Sequence, residues 1–159
     1  MAAPTPTVRV TPSGRILENG FKTLVTFASH SAIELWEVSV KPVGMDGGSK
    51  IDLTNMHNNT VRTYAPRRLK EITDGSMKCH YDPKVLPTLM NSLINKKTVI
   101  TETYMDGSTY AYWGYLQKFE RDEHTIDGDA PQGTATFVAT NRDDTGAEQV
   151  PVETDVVGT

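Results

Sequence analysis

The sequence predicts a mainly β domain, a sandwich or barrel with one short flanking α-helix, and three observations lead to this fold class. Two strand-like runs within residues 98–120 meet at an Asp-Gly pair, which is a strong hairpin signal. Further strand-like runs occupy residues 33–41, 77–81 and 133–140. Only residues 82–97 place apolar side chains at helical spacing.

Length and composition predict one soluble domain over residues 1–159. The single cysteine, Cys79, excludes an internal disulfide framework and fits a reducing compartment. The first ten residues lack the apolar segment of a secretory signal, and the longest near-apolar run, AYWGYL, is too short to span a bilayer. We therefore expect a chain that is not exported and has no membrane partner.

The first half of the chain alternates strands with irregular segments. Residues 1–14 are rich in Pro and Thr and predict an N-terminal arm. One or two short strands follow, broken at Asn19-Gly20. The strand at 33–41 changes its apolar phase near Trp36, which indicates a bulge or a strand contacted on both sides. Residues 42–60 keep no period, which predicts either a functional loop or a protruding hairpin.

The second half contains the helix, the hairpin and a last strand. Pro87 cannot lie deep inside a helix, so the helix is predicted to begin there. Asp106-Gly107 is predicted as a two-residue turn, so alternation places Thr101, Thr103, Tyr110 and Tyr112 on one face and Glu102 on the other. A three-residue loop with a bulge would instead slip the register by one residue. Residues 141–159 lack a core pattern and predict a C-terminal arm.

The net charge of −4 hides a split along the chain. Residues 1–119 hold 14 Lys/Arg and 10 Asp/Glu, a net of +4, whereas residues 120–159 hold 2 and 10, a net of −8. The basic residues concentrate in RTYAPRRLK, residues 62–70. The two parts are predicted either to attract each other, within or between subunits, or to leave the acidic part as a solvated tail.

Motifs of catalysis fail one by one, so we expect no enzyme and no cofactor. GMDGGSK has Ser49 where a phosphate loop needs Gly, and Ile51 where it needs Ser or Thr. The four histidines have no spacing that would bring two imidazoles to one metal ion. Cys79 and His80 point to opposite faces of a strand. The basic stretch lacks the interleaved aromatic residues and the groove-sized helix of a nucleic-acid reader.

Two blocks of sequence resemble the major tail tube proteins of long-tailed, non-contractile bacteriophages. The first is WEVSVKPVGMDGGSKIDLTNMHNNTVRTYAPRRLKEIT, residues 36–73. The second begins with TDGSMKCHYDP and continues through a leucine-bearing helix, a DGST hairpin ending in WGYLQKFE and the strand TATFVATN. Together the blocks cover residues 33–141.

The resemblance implies a structural virion protein of the tail. Subunits would form hexameric rings, and stacked rings would form a tube that conducts double-stranded DNA at ejection without binding it specifically. Assembly would occur in the host cytoplasm around a tape-measure protein in the lumen, with tail terminator and tail tip proteins as further partners. Residues 42–60 would be the loop that reaches the next ring, and residues 1–14 and 141–159 would bridge subunits.

Three sets of residues follow as assembly candidates. The loop residues expected between rings are Asp46, Lys50, Asp52, Met56, His57 and Asn58. The charged residues expected between subunits are Arg62, Arg67, Arg68 and Lys70 with Asp122, Glu123, Asp143 and Asp144. The residues expected on the lumen or inner sheet are Glu102, Thr101, Thr103, Tyr110 and Tyr112.

A second function class is compatible with the same pattern. A monomeric β-sandwich could bind a ligand such as a carbohydrate, with the aromatics of residues 110–115 as a stacking platform. Such a module would stay monomeric, whereas a tube subunit would self-assemble.

Overall fold

The computed structural model describes residues 23–31, 33, 35–80, 84–128 and 130–155. The predicted N-terminal arm and the turn at Asn19-Gly20 lie outside these residues. Within them, the fold is mainly β with one short α-helix, which confirms the predicted class. None of the helices in this described part is both long and apolar enough to cross a membrane.

The central element is a seven-stranded antiparallel sheet with the order β1-β8-β9-β10-β7-β2, in which β11 also pairs with β9. Four short strands outside it pair as β3 with β6 and β4 with β5. The elements are β1 Leu24–Phe27, β2 Glu37–Lys41, β3 Met45–Asp46, β4 Ile51–Asp52, β5 Tyr64–Ala65, β6 Glu71–Ile72, β7 Gly75–His80, α1 Leu86–Leu93, β8 Thr98–Thr103, β9 Thr109–Arg121, β10 Gln132–Ala139 and β11 Val152–Thr154. A turn of 3-10 helix, Ala28–His30, follows β1.

The large sheet buries one face by curling over it. Alternate residues are buried along β7, β8 and β10, and the residues between them are partly exposed. In a flat sheet, β1 and β10 would lie about 14 Å apart, because three spacings of about 4.8 Å separate them. Instead the rings of Phe27 on β1 and Phe137 on β10 have centroids 6.0 Å apart. The core therefore forms inside a sheet that packs against itself.

A carboxylate joins the two outer strands of this curled sheet. Glu37 on β2 lies opposite Cys79, and its Oε1 accepts a hydrogen bond of 2.9 Å from the backbone N–H of Val25 on β1. The register of β2 shifts between Glu37 and Ser39, which confirms the bulge predicted from the apolar phase change. The irregularity turns Glu37 toward the strand at the other end of the sheet order.

Strand β9 is the longest element and serves three partners. Its first half pairs with β8 on one side and with β11 on the other, and its second half pairs with β10. Gly114 lies where these pairings meet, and a Cβ at this position would stand 2.7 Å from the carbonyl oxygen of Val138. Because a backbone atom blocks that space, the close approach of β9 and β10 requires glycine here.

Helix α1 begins one residue before the predicted start, at Leu86, with Pro87 in the first turn as predicted. Leu93, at its last position, is buried in the core. After the helix, Asn95 takes a left-handed φ of 59° and donates its backbone N–H to the carbonyl of Leu116 on β9. This bond fixes the end of the helix against the central strand.

The two-residue turn predicted at Asp106-Gly107 is wrong, and the three-residue alternative is correct. Gly107 donates its N–H to the carbonyl of Tyr104 and has a φ of 83°, while Asp106 Oδ1 accepts from the backbone N–H of Ser108. A turn followed by a left-handed residue is the usual geometry of a three-residue hairpin loop. The register therefore pairs Thr103 with Thr109. As a result, Tyr110 and Tyr112 lie on the face of Glu102 and not on the face of Thr101 and Thr103.

Residues 141–155, which the sequence predicts as part of a C-terminal arm, form a hairpin and a strand that pairs with β9. Asp143 organises a tight hairpin, because its Oδ1 accepts hydrogen bonds from Thr145 N and Ala147 N and its Oδ2 from the Gln149 side chain. Hydrogen bonding from Thr145 is the main reason that the pKa of Asp143 falls to about 2. The hairpin leads into β11, which pairs with β9.

We predict that Glu37→Ala lowers the free energy of unfolding by about 1–3 kcal/mol, since it leaves the N–H of Val25 without its carboxylate acceptor. Urea denaturation followed by circular dichroism measures this change. Glu37→Gln keeps an oxygen acceptor and is expected to lose less than half as much. Equal losses in the two variants would contradict a role for the hydrogen bond.

Candidate assembly surfaces

Residues 45–72 form an exposed two-legged projection, here called the arm. At its base, Met45 pairs with Ile72, and farther out Ile51 pairs with Ala65. The ladder continues with the N–H of Leu53 donating to the carbonyl of Thr63. Of the two structures predicted for residues 42–60, the protruding hairpin is therefore the correct one, and the basic stretch forms its returning leg.

The distal part of the arm has two unlike faces. Ile51 lies across from Ala65, and Leu53 from Thr63, so these side chains share one face, which is mainly apolar. Alternation turns residues 50, 52 and 64 to the other face. There Lys50 Nζ lies 3.6 Å from the centroid of the Tyr64 ring.

The polar face is held together by contacts within the arm. Arg62 Nη1 lies 3.8 Å from Asp52 Oδ2, and Asp52 Oδ1 accepts from the N–H of Thr54. Hydrogen bonds from Thr54, its side chain first, lower the pKa of Asp52.

A glycine turn and an arginine connect the two legs near the middle of the arm. Asp46 Oδ1 accepts from the N–H of Gly48, whose φ is +72°. Arg67 passes beside this turn and donates from Nε to the carbonyl of Ser49 at 2.9 Å. A Cβ at Gly48 would lie 3.0 Å from Arg67 Cδ, so the small residue lets the arginine approach.

The tip of the arm folds around Asn58. Its Nδ2 donates to Val61 O and Thr63 Oγ1, and its Oδ1 accepts from the N–H of Asn55. The backbone of His57 is held by Asn55 Oδ1, whereas Met56 is fully exposed. Of the predicted loop contacts at the tip, Asn58 therefore shapes the turn, and Met56 projects from it.

The basic and acidic residues predicted to meet between subunits have partners of their own in several cases. Arg62 and Arg67 contact the arm itself, as described above. Asp122 forms an ion pair with Lys78 on β7, in which Lys78 Nζ lies 2.8 Å from Asp122 Oδ2. Arg68, Lys70, Glu123 and Asp144 are exposed, and Asp143 is engaged in its own hairpin.

The five lumen or inner-sheet candidates divide between the two faces of the sheet. Glu102, Tyr110 and Tyr112 face inward, and the exposed fractions of Glu102 and Tyr112 are 0% and 2%. Those two side chains are enclosed by their own chain and cannot line a lumen. Thr101 and Thr103 lie on the outer, half-exposed face. That face is rich in small hydroxyl residues: Ser76, Thr101, Thr103, Thr134 and Thr136.

Glu102 is a buried carboxyl whose hydrogen-bond partners are tyrosines. Tyr112 OH donates to its Oε1 at 3.1 Å, and Tyr104 OH lies 3.5 Å from its Oε2. Burial raises the pKa of Glu102, and the two hydroxyls oppose that rise only in part. Burial, followed by the charge of Glu102, raises the pKa of Tyr104 to about 12.

The described residues contain no group of three or more His, Cys, Asp or Glu side chains that could hold a metal ion. Cys79 is buried, and burial raises the pKa of its thiol to about 11, with the charge of Glu37 as the smaller cause. A thiol with this pKa is almost wholly protonated at neutral pH and is a poor nucleophile.

Sequence reasoning missed three features of these surfaces. Glu102 was predicted only as a lumen or inner-sheet residue, and its complete burial within one chain has no signal in the sequence, because it lies between two threonines. Trp36, with an exposed fraction of 72%, was read only as part of a strand. The Asp143 hairpin has a recognisable signal in Asp-x-Thr-Gly, residues 143–146, since such Asp and Thr side chains close turns locally.

Comparison with solved structures places this fold among tail assemblies. The chain matches one in the sheath/tube terminator of an extracellular contractile injection system, PVC, with a TM-score of 0.65 and 12% identity over 89% of this chain and 99% of the other. A chain of the PVC sheath-tube complex matches with a TM-score of 0.63 and 14% identity over 91% and 95%. A chain of the native gene transfer agent virion matches with 0.57 and 7% identity over 87% and 100%.

These matches give the chain a tail-tube-like fold, which it shares with chains of a contractile injection system and of a gene transfer agent particle. Neither a family model nor a curated protein sequence matches it. The matched chains are similar in length to this one, so the likeness covers nearly the whole domain. The fold is common to several kinds of tail and is not specific to the non-contractile phages that the sequence resembles.

We predict that Glu102 makes the stability of the fold depend on pH. Because its folded-state pKa is raised, its contribution is complete below the ordinary glutamate pKa and declines as pH rises through the folded value. Glu102→Gln should remove this decline. Urea unfolding of both proteins across a pH series measures the difference.

Glu153→Gln is the matched control, since Glu153 lies opposite Tyr110 in the same row of the sheet but is exposed. Its pH dependence is expected to follow that of the unaltered protein. If the curve for Glu102→Gln ran parallel to the unaltered curve, the buried carboxyl would not be the source of the pH dependence.

Proposed function

We propose that this chain is a tail tube subunit that forms hexameric rings and, by stacking them, a conduit for double-stranded DNA. The observation that carries the proposal is the match of a whole tube-like domain, at a TM-score of 0.63 over 91% of the chain, to the sheath-tube complex. The matched chains belong to sheath and tube assemblies, which supports a structural role rather than an enzymatic one.

The arm supports a stacking role, because none of residues 45–71 is buried and Ile72, at the base, packs against the core. Its length of chain is long for a compact domain unless it contacts something. Charge supports the same role. The arm holds five Lys/Arg and three Asp/Glu, a net of +2, whereas residues 120–155 hold a net of −8. In this proposal the arm of one ring meets the acidic part of the next.

The proposed conduit wall is the outer face of the sheet, where Lys78 and Lys118 each lie in an ion pair, with Asp122 and Glu120. A wall rich in Lys or Arg would hold phosphates through counterion release and slow the passage of DNA. The net charge of −4 and the hydroxyl-rich outer face, with Thr101 and Thr103, fit a wall that does not bind DNA. A tape-measure protein in the lumen and terminator and tip proteins at the ends complete the proposed assembly, formed in the host cytoplasm.

We favour the non-contractile type of tail on the sequence resemblance of residues 36–73. A second role is favoured by one observation, the match to the PVC sheath/tube terminator, which has a TM-score of 0.65. A terminator would close a tube rather than extend it. The two roles differ in whether the isolated chain stacks without limit.

We predict that the purified chain forms stacked rings or tubes as its concentration rises, visible by negative-stain electron microscopy. Single rings that never stack would support the terminator role instead. A chain that stays monomeric at high concentration would contradict both roles and favour the ligand-binding module.

We also predict that reversing two exposed charges of the arm, in Arg68→Glu/Lys70→Glu, weakens stacking at low salt. Two exposed ion pairs at about 0.5 kcal/mol each would raise the concentration needed for stacking about fivefold. Light scattering measures this concentration, and the difference should shrink in high salt, because exposed charges are screened.

Lys96→Glu/Lys97→Glu is the control, since it changes the net charge equally at exposed positions after α1. Reversal of Arg67 is a poorer test, because Arg67 also holds Ser49 within the arm. Equal effects of the two double reversals would mean that overall charge, and not the arm, governs stacking.

A further inference from the structure

The distal part of the arm has a polar face and an apolar face, and the apolar face is better suited to docking. In its distal part, the polar face is already engaged, through Lys50 over Tyr64 and Arg62 beside Asp52. The opposite face carries Ile51 and Leu53, whose exposed fractions are 39% and 52%. These side chains lie on a hydrogen-bonded ladder that presents them together.

A docking contact made by the polar face would have to displace contacts that the arm makes with itself. The apolar face has no such cost, and covering it removes hydrocarbon surface from water. The contacts within the arm also hold the ribbon in one shape before it meets a partner, which lowers the entropy lost on binding. Both effects favour the face of Ile51 and Leu53.

The same chain contains a surface of complementary chemistry. Val150 and Val152 are exposed by 63% and 58%, at the edge where β11 pairs with β9. They stand among acids at positions 148, 153 and 155, in the part of the chain with a net charge of −8. The arm combines exposed apolar residues with a net charge of +2, so the two surfaces match in both respects.

We propose that Ile51, Leu53 and Ala65 of the arm dock on residues 148–155 of a second copy of this chain. The basic residues of the returning leg draw the arm toward the acidic segment, and the apolar face makes the contact. This inference rests on the proposed function for its setting between rings, but it concerns only which surfaces of two copies touch.

The test is cross-linking between two variants, each with one added cysteine, mixed in equal amounts. Cys79 is buried, so it contributes little background. Leu53→Cys mixed with Val152→Cys is expected to cross-link in assembled material at least about tenfold more than Asp52→Cys mixed with Val152→Cys, since successive strand residues point to opposite faces. Tubes in which the two mixtures cross-link equally, or not at all, would overturn the inference while leaving the tube proposal intact.

A second measurement uses the variant Ile51→Thr/Leu53→Thr, with Asp52→Thr as control. Threonine keeps the strand propensity and removes the apolar contact. The double variant should raise the concentration needed for stacking about tenfold or more, whereas the control should stay within about twofold. If Asp52→Thr were the more harmful change, the polar face would be the docking face. A parent protein that never assembles contradicts the proposed function instead, and is recognised because all variants then behave alike.

Discussion

The fold depends on the need of one sheet to bury a single face without a second layer large enough to cover it. The sheet meets this need by curling, so that Phe27 and Phe137 touch across strands that a flat sheet would hold apart. Glu37 completes the curl, because its carboxylate binds the backbone of β1 from β2. Helix α1 contributes Leu93 to the same enclosed core. All other features are arranged around that closure.

Closure separates an interior that belongs to one chain from surfaces that are free to meet others. Glu102 falls inside, where tyrosine hydroxyls replace water around its carboxyl. The arm falls outside, and it keeps its shape through short-range contacts such as Arg67 with Ser49. An assembly built from this domain can therefore change its contacts at the arm with little disturbance to the core, since no arm residue between 45 and 71 is buried.

The sequence pattern predicted the class of fold, the helix with Pro87 in its first turn and the bulge in β2, because each depends on neighbouring residues. The register of the β8–β9 hairpin was predicted wrongly, because both registers leave each face mixed and the pattern does not favour the correct one. Asp106 and Gly107 decided it through a side-chain hydrogen bond and a positive φ. The pairs β3–β6 and β4–β5 have two residues per strand and carry no periodicity. The sequence indicated which residues of the arm could make contacts, but it did not indicate the face on which each lies. Those faces depend on the pairing of these short strands.

The division of β9 among three partners has a consequence for how the chain is made. Residues 109–111 await β11, which leaves the ribosome about forty residues later, and synthesis proceeds at about 5–20 residues per second. For a few seconds the nascent domain carries an unpaired strand edge beside its most aromatic segment. Polysomes making this protein would bring many such edges together, which favours pairing between nascent chains during that interval.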